Sequence, residues 1–343
     1  MSAEDARPYL LPVPCPRGRP GSTPLAGGPF GFAEVEVLRR GRAAERLPAA
    51  AAAELYPDTR GTLERLAAER PPWAGLDLAW PRVLGVVNVT PDSFSDGGRF
   101  ASTEAAVAHG RALVEAGADA LDIGGESTRP GAEPVPEAQE LDRVIPVIEG
   151  LVAADVAAPI SIDTRRAGVA RAALAAGASI LNDVSALTYD EGSAEVAAGA
   201  GAVCLMHAQG DPRTMQKAPR YGDVLLEVYD FLERRVAVAE RAGVARERIA
   251  VDPGIGFGKT LEHNLALIRG LGLLHGLGCP VLLGASRKRF IGTLAQEQQA
   301  DRRAAGSIAA ALAGLARGAQ IVRVHDVAET VQALRVWLAI EEI

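Results

Sequence analysis

Cysteine is scarce in this sequence: Cys15, Cys204 and Cys279 are the only three among 343 residues. An odd, widely scattered set excludes a complete disulfide framework and a Cys-x-x-Cys zinc site, and it fits a reducing compartment. Long apolar runs are also missing. No stretch of about 18 apolar residues occurs, which excludes a membrane-spanning helix. The chain opens on Met1-Ser2-Ala3-Glu4-Asp5, acidic where a secretory signal is basic, and its short apolar stretch from Tyr9 to Cys15 is broken by Pro12 and Pro14. No leader is therefore expected. Positive charge is not in excess either. The formal net charge of −7 argues against wholesale nucleic-acid binding, while leaving room for a local basic pocket. These absences predict a cytoplasmic protein with neither nucleic acid nor membrane as partner.

What is present points to a folded enzyme-sized unit. Hydrophobic residues make up 48% of the chain, enough for a large core, and charged residues 23%, which excludes bulk disorder. Residues 1–80 differ in texture from the rest. They hold proline clusters, the segment Arg17-Gly18-Arg19-Pro20-Gly21 and the alanine run Ala49 to Ala53. Phe32 to Leu38 alternates as one short strand, and residues 59–70 fit a helix stopped by Pro71-Pro72. This part is expected to be an N-terminal extension packed on a main domain that spans residues 81–343.

From Val83 onward, short apolar runs alternate with helical periods. The runs are Val83–Val89, Ala120–Ile123, Pro159–Ile162, Ser179–Leu181, Ala202–Met206, Ile249–Val251, Val281–Leu283 and Gln320–Val324. Each is apolar throughout, as in parallel strands covered on both faces. Leu141, Val144, Ile145 and Ile148 mark one helical stripe between them; Val327, Val331, Leu334 and Leu338 mark another. Eight such units in about 260 residues have the size of an α/β fold of the (β/α)₈ TIM-barrel type. A doubly wound open sheet is the alternative, disfavoured because no Gly-x-Gly-x-x-Gly turn follows the first strand.

In a barrel of this kind the active site lies at the C-terminal strand ends. The runs lead there into Asn88, Asp122, Asp163, Asn182, His207, Asp252, Ser286-Arg287-Lys288, and Arg323 with His325. Taken singly, each polar residue reads as well as a cap for the next helix. Taken together, they favour a polar ligand site. Two glycine-rich loops are long for a β/α connection, Asn88 to Gly98 and Gly124 to Gly131. Their Ser, Thr, Arg and backbone N–H groups suit an oxyanion or phosphate. A third, Asp252-Pro253-Gly254-Ile255-Gly256-Phe257-Gly258-Lys259-Thr260, imitates a P-loop, but Pro253 stands where its first glycine belongs, and the nucleotide reading is rejected.

These loops resemble the signature segments of dihydropteroate synthases. So do Ser161-Ile162-Asp163-Thr164, Leu181-Asn182-Asp183-Val184-Ser185, Leu205-Met206-His207, Gly284-Ala285-Ser286-Arg287-Lys288 and Arg323-Val324-His325-Asp326. The resemblance covers about residues 82–343. It departs from the family's usual pattern at Ala208, where methionine is common, and in the extension. It implies a transferase of folate (tetrahydrofolate) biosynthesis, the target of sulfonamides. The enzyme joins 6-hydroxymethyl-7,8-dihydropterin pyrophosphate to p-aminobenzoate and releases pyrophosphate through a cation-like displacement.

By the same resemblance, the pterin falls to Asp163, Asn182, Met206, Asp252 and Lys288. Pyrophosphate falls to Asn88, Thr128, Arg323 and His325, and p-aminobenzoate to Thr128, Arg129, Pro130, Phe257, Ser286 and Lys288. Asp163, Lys288, Arg323 and His325 carry the chemistry, and Asn88 is a ligand to Mg²⁺. The resemblance also implies a homodimer, with residues 304–317 and 327–340 as its face; packing on the barrel alone is the other reading of those helices. Phe257 also reads as a loop anchor, His325 as a core histidine, and Arg287 as a residue outside the site. His109, His263 and His275 read as solvated helix residues. Three rivals remain. A pterin-binding methyltransferase barrel would lack the two long loops, and a catalytically silent homologue would have lost Asn88, Asp163, Lys288 or Arg323. A phosphosugar enzyme would lack the pair Asn182 and Asp252.

Overall fold

A computed structural model describes residues 7–89, 98–126, 134–210 and 214–341. Its centre is an eight-stranded sheet in the order β10-β9-β8-β7-β6-β5-β12-β11. The strands are β5 (Arg82–Asn88), β6 (Ala120–Gly124), β7 (Ile160–Asp163), β8 (Ile180–Asp183), β9 (Ala202–Met206), β10 (Ile249–Asp252), β11 (Leu282–Leu283) and β12 (Ile321–Val324). All neighbours pair in parallel, and a parallel bridge between Val251 and Val281 joins the two ends. The chain is thus a (β/α)₈ barrel, and the eight apolar runs are its eight strands. Both strand faces are covered, which is why the runs do not alternate.

One set of strand residues fills the barrel's axis: Leu84, Ala120, Ile180, Ala202, Cys204, Ala250, Leu282 and Ile321 form one buried cluster. Trp73 and Leu78, just ahead of β5, belong to that cluster and close the barrel at its N-terminal end. Trp73 is 1% exposed, and its indole N–H donates to the Arg248 carbonyl at 3.1 Å. The second cluster lies between strands and outer helices, where Val144, Ile148, Val327, Val331 and Leu334 of the two expected stripes are buried.

The extension holds more structure than one strand. β1 (Tyr9–Pro16), β2 (Thr23–Pro24), β3 (Phe30–Leu38) and β4 (Glu45–Pro48) form an antiparallel sheet around β3. Pro12 and Pro14 conceal β1 in the sequence, because proline cannot donate to a ladder. It is tolerated here because β1 is an edge strand, with a register shift between Val13 and Pro14. Leu10, Phe32, Val35, Val37, Ala52 and Leu66 give the extension a small core of its own. It docks on the barrel helix Val224–Arg241: Tyr9 packs edge-on to Tyr229 at 5.5 Å and its hydroxyl donates to Asp230 at 2.9 Å.

Candidate active site

The parallel register decides which side chains meet. Asn88 pairs with Gly124, Gly124 with Asp163, Asp163 with Asn182, and Asn182 with Cys204. Asp252 pairs with Met206. One lateral row at the C-terminal rim thus carries Asn88, Asp163 and Asn182. Arg323 reaches this row from β12. Its Nε donates to Asp122 Oδ2 at 2.5 Å and its Nη2 to Asp163 Oδ2 at 2.7 Å. Asn182 Nδ2 donates to the same Asp122 oxygen at 3.1 Å. Two carboxylates therefore share one guanidinium.

The electrostatics follow from that stoichiometry. Burial drives the Asp163 pKa up to about 7, against the pull of Arg323, and the neighbouring Asp122 charge adds to the rise. Burial also disfavours the Arg323 charge, but Asp122 and Asp163 outweigh it and hold its pKa above the ordinary value. Asp252 is raised by burial, with partial relief from the Gly254 N–H, which donates to Asp252 Oδ1 at 2.6 Å. Asp252 and Arg323 flank Gly284. A Cβ there would lie 3.3 Å from Asp252 Oδ2 and 3.9 Å from Arg323 Cδ, so the missing side chain leaves room between them.

The third loop brings Phe257 to this mouth. Lys288 Nζ sits 4.1 Å from the Phe257 ring centre, a cation–π distance. Phe257 also packs with Met206 and Met215, and Ala208 borders that cluster. The loop docks by close backbone approach. A Cβ on Gly254 (φ +69°) would lie 1.8 Å from the His207 carbonyl oxygen, and one on Gly258 (φ +66°) 2.3 Å from that of Gln209. Lys259 is buried beneath it and donates to the carbonyls of Phe257 at 2.9 Å and His207 at 3.3 Å. Its Nζ also lies 3.0 Å from His207 Nδ1. The lysine that imitates a P-loop is thus an internal anchor. Burial lowers its pKa to about 7 and that of His207 to about 2, so the imidazole is the neutral acceptor of the pair. After β11, Ser286 Oγ lies 3.0 Å from His325 Nδ1 and accepts the His325 backbone N–H at 3.2 Å.

The structure thus gathers Asn88, Asp163, Asn182, Met206, Asp252, Phe257, Ser286, Lys288, Arg323 and His325 at one end of the barrel. Thr128, Arg129 and Pro130 lie outside the described residues, as does the loop Thr90–Gly97. Arg287 turns away to pair with Asp326. His275 is not solvated: it is fully buried, and its ring lies 2.7 Å from the Gly318 carbonyl, because its segment is wedged under the extension. Asp122 belongs to the site by its contacts, although only its strand-end position marked it in the sequence.

Asn88 offers a hard oxygen beside Asp163 at this mouth. A Cβ on Gly124 would lie 3.8 Å from Asp163 Oδ2 and 3.9 Å from Asn88 Oδ1, so two hard oxygens border a space that glycine leaves open. Among the described residues, no group of three His, Cys, Asp or Glu side chains is placed to hold a metal. That donor set suits Mg²⁺, which keeps several waters and shares substrate phosphates.

Comparison with known proteins settles the family. Residues 84–325 match the family of pterin binding enzymes. A dihydropteroate synthase of Neisseria meningitidis serogroup B is 51% identical over 273 residues, which cover 78% of this chain and 94% of the relative. The chain belongs to the dihydropteroate synthase family. A Xanthomonas albilineans dihydropteroate synthase solved with 4-aminobenzoic acid superposes with a TM-score of 0.74 at 52% identity, covering 80% of this chain and 98% of that one. A structure of the Xanthomonas albilineans enzyme in complex with 7,8-dihydropteroate gives 0.70 at 50% identity, covering 78% and 96%. The chain is thus a transferase by family. Among the described residues no helix is long and apolar enough to cross a membrane.

Proposed function

We propose that this chain condenses 6-hydroxymethyl-7,8-dihydropterin pyrophosphate with p-aminobenzoate, forming 7,8-dihydropteroate and pyrophosphate. The observation that carries this reading is the convergence of Asp252, Asn182, Asp163, Lys288 and Arg323 on one barrel mouth. Asp252 and Asn182 present acceptors and a donor to the amino, ring N–H and carbonyl edge of a pterin, and Lys288 covers the carbonyl side. Met206 packs beneath the ring. An analogue without the matching groups would leave buried polar atoms unpaired and be rejected.

The reaction breaks the bond between the methylene carbon and the pyrophosphate oxygen. The electron pair leaves with pyrophosphate, and positive charge develops on the carbon. The Asp163 carboxylate is held at the opposite ring edge, where fixed negative charge stabilises that cation without reorganisation. Arg323 commits Nε and Nη2 to carboxylates, so its Nη1 edge is the part that meets a phosphate oxygen, with His325 beside it. Asn88 would hold Mg²⁺, which when bound supplies charge neutralisation for the phosphates. The p-aminobenzoate nitrogen then attacks the carbon, with its ring against Phe257 and the Lys288 stem and near Ser286. Thr128, Arg129 and Pro130 complete that subsite in this reading, and Thr128 also faces the pyrophosphate.

The finer surroundings follow the same reading. Three cysteines without disulfide bonds suit a reducing cytoplasm. Val336 and Ile340, 57% and 72% exposed on the last helix, suit a homodimer face. The test of function is chromatographic detection of dihydropteroate from both substrates and Mg²⁺. Asp252→Asn should lose the product through weaker pterin binding. A wild-type protein that binds the pterin but forms no dihydropteroate supports the silent homologue instead.

A further inference from the structure

Asp122, the middle residue of β6, is 0% exposed. An aspartate near a strand end commonly accepts backbone N–H groups of the turn that follows. Among the described residues the bonds to Asp122 come instead from side chains of two other strands. Arg323 Nε donates to it from β12 at 2.5 Å, and Asn182 Nδ2 from β8 at 3.1 Å. β12 and β8 each lie two strands from β6, on opposite sides, so Asp122 joins two residues that share no ladder. Both bonds end on the same oxygen, Oδ2. Oδ1 is buried and has no partner among the described residues.

Stability does not account for this arrangement. A buried acceptor left without a partner is unfavourable, and apolar residues of equal volume often stabilise as well as a buried ion pair does. What Asp122 supplies is direction. A carboxylate accepts and does not donate, so it takes the Nδ2 end of the Asn182 amide. Among the described residues that is the amide's one hydrogen bond, and Oδ1 is left as the free acceptor. Arg323 is fixed by the same oxygen. Asp122 takes its Nε and Asp163 its Nη2, at 2.7 Å, which sets the plane of the fork and leaves Nη1 over. One oxygen therefore decides both how Asn182 reads a ring edge and where Arg323 aims its remaining donors.

We propose that Asp122 is a positioning residue for both halves of the pterin pyrophosphate: through Oδ2 it turns Asn182 Oδ1 toward the pterin ring and aims the free edge of Arg323 at the pyrophosphate. The inference rests on the assignment above of Asn182 to the pterin and of Arg323 to the pyrophosphate. The ligand it selects presents an N–H donor to Asn182 and an anionic oxygen to Arg323. Asp122, buried beneath both, touches no substrate.

The experiment separates the two halves. Titration calorimetry on the full chain measures binding of 6-hydroxymethyl-7,8-dihydropterin, which lacks the pyrophosphate, and of inorganic pyrophosphate with Mg²⁺. Steady-state kinetics gives the KM for p-aminobenzoate. The variants are Asp122→Ala, Asp122→Asn, Asn182→Asp and Asn182→Ala. Loss of a hydrogen bond to a charged group costs on the order of tenfold or more in affinity. Asp122→Ala should therefore weaken both ligands about tenfold or more, with the KM for p-aminobenzoate within about twofold. Asp122→Asn keeps an oxygen where Oδ2 stands and puts its NH₂ at the unpaired Oδ1 position, so it should recover most of that affinity. Asn182→Asp keeps the shape of the amide but sets a carboxylate oxygen against Asp122. It should weaken the pterin about tenfold, and it carries the test if Asp122→Ala does not fold. Affinities for both ligands within about twofold of wild type in Asp122→Ala overturn the proposal. So does an Asp122→Asn no better than Asp122→Ala, or an Asn182→Asp that binds the pterin like wild type. Asn182→Ala tests the underlying assignment and should weaken the pterin while sparing pyrophosphate. If it weakens the pterin while the Asp122 variants bind both ligands normally, the positioning role alone fails. If it leaves pterin binding unmoved, the assignment of Asn182 fails and takes the positioning role with it.

Discussion

Arg323 is the residue on which most of the site's geometry turns. It spans Asp122 and Asp163 with two different nitrogens, which a lysine cannot do. Arg323→Lys should therefore lower kcat/KM by about 10²-fold, the size of loss seen when one preorganised electrostatic contact is removed; initial rates at subsaturating pterin pyrophosphate measure it. Asp163 makes a second prediction. Its pKa stands at about 7, so the ionised form that faces the cation is filled as pH rises through about 7, and kcat/KM should rise with it. Stability runs the other way. The folded state holds this proton more tightly than the unfolded chain does, so the contribution is complete at acid pH and is lost as pH rises from the ordinary carboxylate range, about 4, through about 7. Asp252 and Glu140 are shifted in the same direction by burial, so Asp163→Asn should flatten the fall in Tm over that window rather than abolish it. An unchanged slope would show that Asp163 does not titrate there. The role of Asp122 was hidden in the sequence because a strand-end aspartate also caps helices. Only the register, which sets Asp122 across from Val86 and Ser161, brings it under Arg323.

At the scale of elements, legibility followed burial. The eight barrel strands stood out as short apolar runs, even β11, which spans only Leu282–Leu283, because covered parallel strands carry continuous apolar residues. The extension's edge strand did not stand out, since Pro12 and Pro14 forbid a central strand and its partner lies across a loop. The solvated reading of His275 failed for a related reason: its local pattern looks helical and exposed, and the extension that covers it comes from a distant part of the chain. The loop after β10 gives the sharpest test at this scale. Gly254→Ala would set a Cβ 1.8 Å from the His207 carbonyl oxygen at φ +69°. It should destabilise the protein by about 2–4 kcal/mol, the cost of strain at a special backbone position together with a clash. Urea unfolding reads this directly, and a change under about 0.5 kcal/mol would mean that the loop docks differently.

For the whole molecule, the barrel and its extension share their ends. Trp73 and Leu78 precede the first barrel strand in sequence, yet they sit in the barrel's axial cluster. Trp73→Ala should cost about 3–5 kcal/mol, as large aromatic truncations in cores do. Because Trp73 closes the end opposite the candidate site, substrate KM values should stay within about twofold at temperatures where the variant is folded. A large KM change with little loss of stability would place Trp73 in communication with the mouth. The fold, the family and the strand-end residues could all be read from the pattern of runs and loops. Which of those residues touch one another could not, because that depends on sheet closure and register between runs up to about 240 residues apart.

In the proposed reaction this mouth expels pyrophosphate and an arylamine captures the pterin. A pyrophosphate-release assay with the dihydropterin pyrophosphate, Mg²⁺ and p-aminobenzoate, beside a Lys288→Ala control, tests it most directly. Release should depend on p-aminobenzoate, match dihydropteroate formed one for one, and disappear in the control. Pterin binding without pyrophosphate release, or release that Lys288→Ala leaves intact, would contradict it.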